Sequence, residues 1–268
     1  MALIHMNYFS QILHSNTDVN VIIPTPNTMD EPINPGNYFH EGARYQVLYL
    51  LHGTHGDYSD WTRMTSIEKY AQRAKLMVVM PSFANSFYQN FRPGYGYRYF
   101  DLLTDELPTY IRTLFPASAR REDTFIGGLS MGAYGAFNAA IRRPDMYSAA
   151  IALSGGLDFI PLIDLEQEDA QWPWRAMLDA PHTGVDTDLD DAPLLKKKVE
   201  EDGRLPRFYM AIGTEDFLYD NVQENRRFMQ ELGVELTYEE GPGGHTWDFW
   251  DEYIQRAIKW LNVKGTTV

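Results

Sequence analysis

The 268-residue sequence contains no cysteine. This absence excludes disulfide bonds, a catalytic thiolate and any zinc site built on cysteine. It also suits a reducing compartment. Residues 1–11 contain no lysine or arginine, and polar side chains interrupt their apolar ones, so this segment does not resemble a secretory signal peptide. We therefore expect a cytoplasmic protein.

Basic residues and long apolar runs are also scarce. Lys and Arg number 23 against 37 Asp and Glu, which gives a formal net charge of −14. Such a surface repels both the phosphates of nucleic acids and an anionic bilayer. No apolar run approaches the ~20 residues that a membrane-spanning helix needs. We expect a small-molecule partner rather than nucleic acid or a membrane, and the sequence leaves a homo-oligomer open.

The apolar residues that are present alternate between two periodicities. Hydrophobic residues make up 44% of the chain, enough for a large core. Short runs rich in β-branched residues are predicted as strands. They lie at 19–23, 45–51, 76–80, 124–127, 149–153, 207–212 and 234–238. Helical spacing is found between or after them, at 65–74, 100–114, 131–141, 221–232 and 247–261.

This alternation of strands and helices predicts right-handed βαβ crossovers. The four runs between 45 and 153 are mostly apolar on both faces, which is typical of parallel strands buried between two layers of helices. We therefore predict an α/β fold with a doubly wound, mostly parallel sheet and helices on both faces. Because the chain has no internal repeat and no linker, residues 1–268 are predicted to form a single domain.

Two segments at strand ends have no place in this alternation. Residues 157–206 form a long insertion before the strand at 207–212. Such insertions often form lids, and we predict a lid here, with a helix at 193–201 capped near Asp190 or Asp191. A surface excursion without a catalytic role stays open. The aromatic run at 87–97 suits either the wall of an acyl or sugar cavity or packing against the lid.

The chemistry of the chain centres on a G-x-S-x-G motif, because residues 128–132 read Gly-Leu-Ser-Met-Gly. The motif describes a turn from strand to helix that is sharp enough to hold a nucleophilic serine clear of the backbone. Here it follows the strand predicted at 124–127 and opens the helix predicted at 131–141, as the motif requires. Ser130 is therefore the candidate nucleophile, and the alternative is a structural serine in a glycine-rich turn.

A serine nucleophile needs a histidine as general base. Of the seven histidines, only His182 and His245 follow Ser130 in the sequence. His245 lies in a glycine-rich loop after the last predicted strand, where hydrolases with the order Ser, acid, His carry their base. His182 lies in the insertion, away from any predicted strand end. We predict His245 as the base.

The base in turn needs a carboxylate that orients its ring. Asp216 follows the strand predicted at 207–212 and is the first choice. Glu215 beside it and Asp158 after the preceding strand are the alternatives.

An oxyanion hole needs backbone N–H groups directed at the charge that develops on the substrate. Met131, the residue after the nucleophile, supplies one, and Thr54 in the loop after the strand at 45–51 is the expected second donor. The same loop places His52 and His55 three residues apart. Two histidines without a third ligand make a poor zinc site, so we predict no metal.

These motifs together resemble the esterase D or tributyrin esterase family of α/β hydrolases, which also includes S-formylglutathione hydrolases, acetyl and feruloyl esterases and mycolyltransferases. The resemblance spans residues 45–261. Its landmarks are Leu-Leu-His-Gly at 50–53, Asp-Glu-Leu-Pro at 105–108, and the segments 128–132, 213–219 and 244–247. The resemblance implies the α/β-hydrolase fold. It assigns Ser130, Asp216 and His245 to a catalytic triad and Thr54 and Met131 to the oxyanion hole.

The expected function is that of a serine carboxylesterase that needs no cofactor. It would hydrolyse short-chain acyl esters, acetyl or similar, on carbohydrate or aryl alcohols through an acyl-enzyme intermediate. An S-formylglutathione-type thioesterase, a feruloyl esterase or a transferase that uses a sugar hydroxyl in place of water stays open. An alternative of another class is an inactive hydrolase that serves as a binding module.

Overall fold

The computed structural model describes residues 1–26, 38, 41–90, 97–158, 190–201 and 203–267. Its strands are β1 (Ala2–Ser10), β2 (Ser15–Ile23), β3 (Arg44–Tyr45), β4 (Val47–Leu51), β5 (Met77–Pro81), β6 (Thr124–Leu129), β7 (Ala149–Leu153), β8 (Arg207–Gly213), β9 (Leu236–Gly241) and β10 (Thr266–Thr267). Its main helices are α1 (Asp60–Met64), α2 (Ile67–Ala74), α3 (Leu107–Leu114), α4 (Met131–Arg142), α5 (Ala192–Glu200), α6 (Tyr219–Glu231) and α7 (Trp247–Leu261). An α turn (Tyr99–Asp101) and a π turn (Leu102–Glu106) lead into α3. All predicted strands and helices are therefore present, with small shifts at their ends.

An eight-stranded sheet in the order β1-β2-β5-β4-β6-β7-β8-β9 organises these elements. The strands from β5 to β9 in this order pair in parallel, whereas β1, β2 and β5 pair antiparallel. The predicted mostly parallel sheet is thus confirmed. The strand β1 was not predicted. Its even-numbered residues from Ala2 to Tyr8 are apolar and less exposed than the residues between them, so the sequence does carry the two-residue period of a strand here.

Helices cover both faces of the sheet. One buried cluster packs α3, α4, α5 and α6 against the first face, and a second cluster packs α1, α2 and α7 against the other. The strands β4, β5, β6 and β7 are buried along their whole length, because apolar side chains alternate toward both clusters. This arrangement confirms the doubly wound architecture.

Most of the predicted lid lies outside the described residues, which omit 159–189. The two described ends of this segment meet, since Asp158 and Asp190 form an antiparallel bridge and Asp191 N–H donates to the Leu157 carbonyl oxygen (3.0 Å). The helix predicted at 193–201 is present as α5. The carboxylate of Asp190 accepts the N–H of Ala192, the first residue of α5 (2.8 Å), whereas the N-cap residue Asp191 makes no capping bond through its side chain. Among the helices of the described ranges, none has the length and apolarity needed to cross a bilayer.

Candidate active site

The turn between β6 and α4 holds Ser130 in a conformation that few residues adopt. Its φ is 53° and its ψ is −119°, with φ in the region that favours glycine. The Leu153 carbonyl oxygen accepts the Ser130 N–H (2.8 Å) and ties the turn to the neighbouring strand. At Gly132, a Cβ would lie 2.6 Å from the carbonyl oxygens of both Leu51 and His52, so only glycine fits. The predicted strand–turn–helix context of the motif is therefore present.

His245 lies in the loop between β9 and α7, as the sequence predicted. The Ser130 hydroxyl is 3.0 Å from its Nε2, and the Asp216 carboxylate oxygens are 2.9 and 3.1 Å from its Nδ1. An ionised carboxylate can only accept, so Nδ1 carries the proton and Nε2 is free to accept one from Ser130. The three side chains thus form one hydrogen-bonded series.

Asp216 follows β8 and is 5% exposed. Its carboxylate accepts the Leu218 N–H (2.9 Å) in addition to the His245 ring. Burial alone would raise the pKa of this carboxyl. The pKa of Asp216 is nevertheless lowered, because His245 stabilises the carboxylate through a hydrogen bond and through its charge. Further hydrogen bonds come from Leu218 and Ser154. The carboxylate is therefore ionised beside the imidazole.

The alternative acids lie in other surroundings. Asp158 accepts hydrogen bonds from the side-chain amides of Asn221 (3.2 Å) and Asn225 (2.9 Å) on α6. The carboxylate of Glu215 accepts the Gly243 N–H and supports the loop that carries His245. Among the hydrogen bonds of the described residues, none joins Asp158 or Glu215 to the His245 ring. His182 lies outside the described residues.

Two backbone amides border the nucleophile without an acceptor of their own. Neither Thr54 N–H nor Met131 N–H donates to an oxygen in the described part of the chain. The loop of Thr54 packs directly on the turn, because a Cβ at Gly53 would lie 3.5 Å from Ser130 Cβ. Backbone amides inside a protein are normally paired, so two beside a serine that have no acceptor among the described residues suit an oxyanion.

A cavity of about 630 Å³ opens above Ser130. Its wall combines the loop 53–56, the α1 side chains Asp60, Arg63 and Met64, and the segment 245–247 with Trp250. Phe217 lies beside this wall. Its ring centre is 4.6 Å from that of His245, and the side chain is 59% exposed. The cavity therefore offers polar, charged and aromatic surfaces to a bound molecule.

Known proteins resemble this chain in sequence and in fold. Residues 28–261 match a family model, Esterase, described as "Putative esterase". The chain belongs to the Esterase family. The acetyl esterase of Caldicellulosiruptor saccharolyticus is 34% identical over 270 residues, which cover 98% of each chain.

Two solved structures from Staphylococcus aureus resemble this esterase over nearly its whole length. One is FphF, a fluorophosphonate-binding serine hydrolase, with 33% identity, a TM-score of 0.82, and coverage of 97% of this chain and 98% of the other. The other is FrmB, an S-formylglutathione hydrolase, with 33% identity, a TM-score of 0.79 and the same coverage. The protein is a carboxylic ester hydrolase with the α/β-hydrolase fold, so the predicted family, fold and enzyme class are confirmed.

The loop after β5 contacts the candidate active site in a way that the sequence did not indicate. Phe87 and Tyr88 are buried in the core, so this described part of the aromatic run does not form the cavity wall. The Tyr88 hydroxyl instead donates to the His52 carbonyl oxygen (2.7 Å), and Asn85 Oδ1 accepts the His55 N–H (2.7 Å). Residues 91–96 of the run lie outside the described ranges. No sequence signal distinguishes such supporting contacts from ordinary core packing.

The geometry also bears on the zinc alternative at His52 and His55. Both ring nitrogens of His52 are engaged in hydrogen bonds to the backbone, with Gly53 and with Phe83. A ring in this state has no lone pair to offer a metal. Within the described ranges, no group of three or more histidine, aspartate or glutamate side chains is arranged to hold a metal ion.

Proposed function

We propose that the esterase hydrolyses short-chain acyl esters through a covalent acyl-enzyme on Ser130. The observation that carries the proposal is the hydrogen-bonded series from the Ser130 hydroxyl through His245 to Asp216, with distances of 3.0 and 2.9 Å. Serine is a weak nucleophile until a base removes its proton, and this series supplies both the base and the group that orients it.

The first half of the reaction forms the acyl-enzyme. His245 Nε2 takes the hydroxyl proton of Ser130 while Oγ bonds to the ester carbonyl carbon. The carbonyl oxygen becomes an oxyanion and accepts hydrogen bonds from the N–H groups of Thr54 and Met131. When the tetrahedral intermediate collapses, the bond to the alcohol oxygen breaks, and the imidazolium gives its proton to the leaving alcohol.

Water completes the reaction in the second half. His245 Nε2 takes a proton from water as its oxygen attacks the acyl carbon, and Ser130 regains a proton when the carboxylic acid leaves. Asp216 stays ionised throughout and stabilises the imidazolium that forms in each half. Because this carboxylate is buried, its attraction to the ring is screened little by solvent.

The lining of the cavity supports a short acyl group on a polar alcohol. Close to Ser130, the cavity is bordered by Gly53 and Leu129. Farther out, the charged side chains of Asp60 and Arg63 interrupt the apolar surface of Met64 and Trp247. A long acyl chain would have to cover these charges and leave them without water, which is costly. The acetyl esterase relative is consistent with the same preference.

A series of p-nitrophenyl esters tests this preference. We expect kcat/KM to be highest for the acetate or propionate and to fall by about 10-fold or more at the octanoate, since each desolvated polar group costs about 1–3 kcal/mol. Initial rates below KM at matched ester concentrations provide the measurement. A kcat/KM that rises steadily with chain length would contradict the short-chain proposal.

A second candidate is a thioesterase of the S-formylglutathione type, as in the FrmB relative. The observation that favours it is Arg63, whose guanidinium borders the cavity of an otherwise acidic protein with net charge −14. Arg63 makes no ion pair with a carboxylate in the described part of the chain. Glutathione carries two carboxylates and one ammonium group. The guanidinium of Arg63 would offset the repulsion between this substrate and the protein surface, although its charge also acts on Asp60, one turn earlier in α1.

Replacing Arg63 separates the two candidates. With S-formylglutathione, we expect Arg63→Ala to raise KM by about 3- to 10-fold, the range for one charge-assisted contact at a partly exposed site. With the neutral p-nitrophenyl acetate, KM should change by less than about twofold. Arg73→Ala on α2 is the matched control, because its side chain borders a different surface groove. If Arg63→Ala raised the KM for S-formylglutathione no more than the KM for p-nitrophenyl acetate, the support for the thioesterase would be removed.

A further inference from the structure

His52 lies immediately before the loop of Thr54 and is 1% exposed. Phe83 N–H donates to its Nε2, at 3.0 Å. A backbone amide can only donate, so Nε2 is unprotonated and Nδ1 carries the proton. Nδ1–H then donates to the Gly53 carbonyl oxygen, 2.6 Å away. Hydrogen bonds at both ring nitrogens therefore fix a single neutral tautomer.

The surroundings of His52 keep it neutral. Burial lowers the pKa of His52 to about 4, although the hydrogen bond to Gly53 and the charge of Asp57 act in the opposite direction. The ring has no free lone pair and lies under the loop rather than on the cavity wall. His52 is thus neither a proton carrier nor a group that substrate can contact.

The effect of His52 reaches the cavity through one peptide group. The Gly53 carbonyl and the Thr54 N–H belong to the same peptide, and the described residues contain no cis peptide bond. In a trans peptide the C=O and the N–H point in opposite directions within one plane. A hydrogen bond that holds the Gly53 oxygen therefore also sets the direction of the Thr54 N–H. The Gly56 N–H donates to the same oxygen at 3.3 Å, a longer and weaker contact.

A second contact holds the peptide before it. The hydroxyl of Tyr88 donates to the His52 carbonyl oxygen at 2.7 Å. The Tyr88 ring is fully buried against Gly135 of α4, where any Cβ would collide with it. Two successive peptide planes of this loop are thus fixed from the protein interior, while the Thr54 N–H has no acceptor in the described part of the chain.

We propose that His52 is a positioning residue for ester hydrolysis, which holds the Gly53–Thr54 peptide so that the Thr54 N–H is directed at the oxyanion. The inference rests on the proposed function, since it takes Thr54 as an oxyanion donor. It replaces the zinc alternative for this histidine with a role in transition-state stabilisation.

Three variants of His52 test the role of the Nδ1–H. An asparagine amide can place its N–H near the position of Nδ1, whereas a glutamine amide reaches toward that of Nε2, and alanine supplies neither. We expect His52→Ala to lower kcat by about 10²-fold with a change in KM below about threefold, as for the loss of one oxyanion donor. His52→Asn should recover about 10-fold of this loss, and His52→Gln should not.

Inhibition by phenylboronic acid gives a readout that a merely structural role would not move. Its tetrahedral adduct on Ser130 places an oxygen in the oxyanion hole, so its affinity should weaken in parallel with kcat/KM across the three variants. Tyr45→Phe is the control for folding. It removes a buried hydroxyl bond to the Pro24 carbonyl oxygen (2.8 Å) outside the cavity, so it should lower Tm without changing kcat.

A folded His52→Ala variant with kcat within about threefold of the parent would overturn the inference. If His52→Ala does not fold, the comparison of Asn with Gln decides, and equal kcat values for these two would also overturn it. Both outcomes leave Ser130 as the nucleophile intact. The failure of the proposed function would instead appear as ester turnover that survives the removal of the Ser130 hydroxyl.

Discussion

Replacing Ser130 by alanine should remove nearly all ester turnover, a loss on the order of 10⁴-fold or more in kcat. The hydroxyl is the one group in the proposed reaction that bonds to the substrate, and His245 is placed 3.0 Å away to take its proton. Without that oxygen, the proposed oxyanion donors, the amides of Thr54 and Met131, could still polarise the carbonyl, but no acyl-enzyme could form. The measurement is kcat for p-nitrophenyl acetate, together with covalent labelling by a fluorophosphonate.

Labelling and a second serine provide the controls for this experiment. The parent enzyme should take up one fluorophosphonate per chain, and Ser130→Ala should take up none. Ser148→Ala removes a hydroxyl that donates to the Thr124 carbonyl oxygen away from the cavity, so it should keep both labelling and turnover. Hydrolysis by Ser130→Ala near the parental rate would show that another residue is the nucleophile.

The positions of the candidate residues could be predicted because they follow from topology. Ser130, Asp216 and His245 come after β6, β8 and β9, and Thr54 comes after β4. These strands run parallel in one sheet, so their carboxyl ends lie along the same edge. Once the strands were recognised from their apolar runs, the convergence of these residues required no knowledge of side-chain packing.

Other features could not be predicted, because they depend on contacts between distant segments. The role inferred for His52 depends on Phe83, which lies 31 positions away in the sequence. The strand β1 lies at the edge of the sheet and pairs antiparallel with β2, and no residue of β1 alone specifies that partner. In the same way, Asp191 was a candidate helix cap, but its carboxylate accepts hydrogen bonds from Asn138 and Arg142 in the interior instead.

The amide substitution Asp216→Asn should lower kcat by about 10²- to 10⁴-fold with little change in KM. The carboxylate accepts a hydrogen bond from His245 Nδ1–H, at 2.9 Å, and so keeps Nε2 unprotonated for the serine. An asparagine can present its NH₂ group to the ring, which favours the tautomer with the proton on Nε2. That tautomer cannot take the proton of Ser130, and the imidazolium also loses its counter-charge.

Asp158→Asn is the matched control, because it makes the same chemical change at the carboxylate that follows the preceding strand. Asp158 accepts hydrogen bonds from the amides of Asn221 and Asn225, and an asparagine at 158 keeps one oxygen to accept them. We expect kcat to change by less than about threefold. Thermal melts must accompany both variants, because a buried group left without its partner can cost about 1–3 kcal/mol of stability. If Asp158→Asn were the more damaging change in a folded protein, the orienting acid would be Asp158, and the contact between Asp216 and His245 would be structural only.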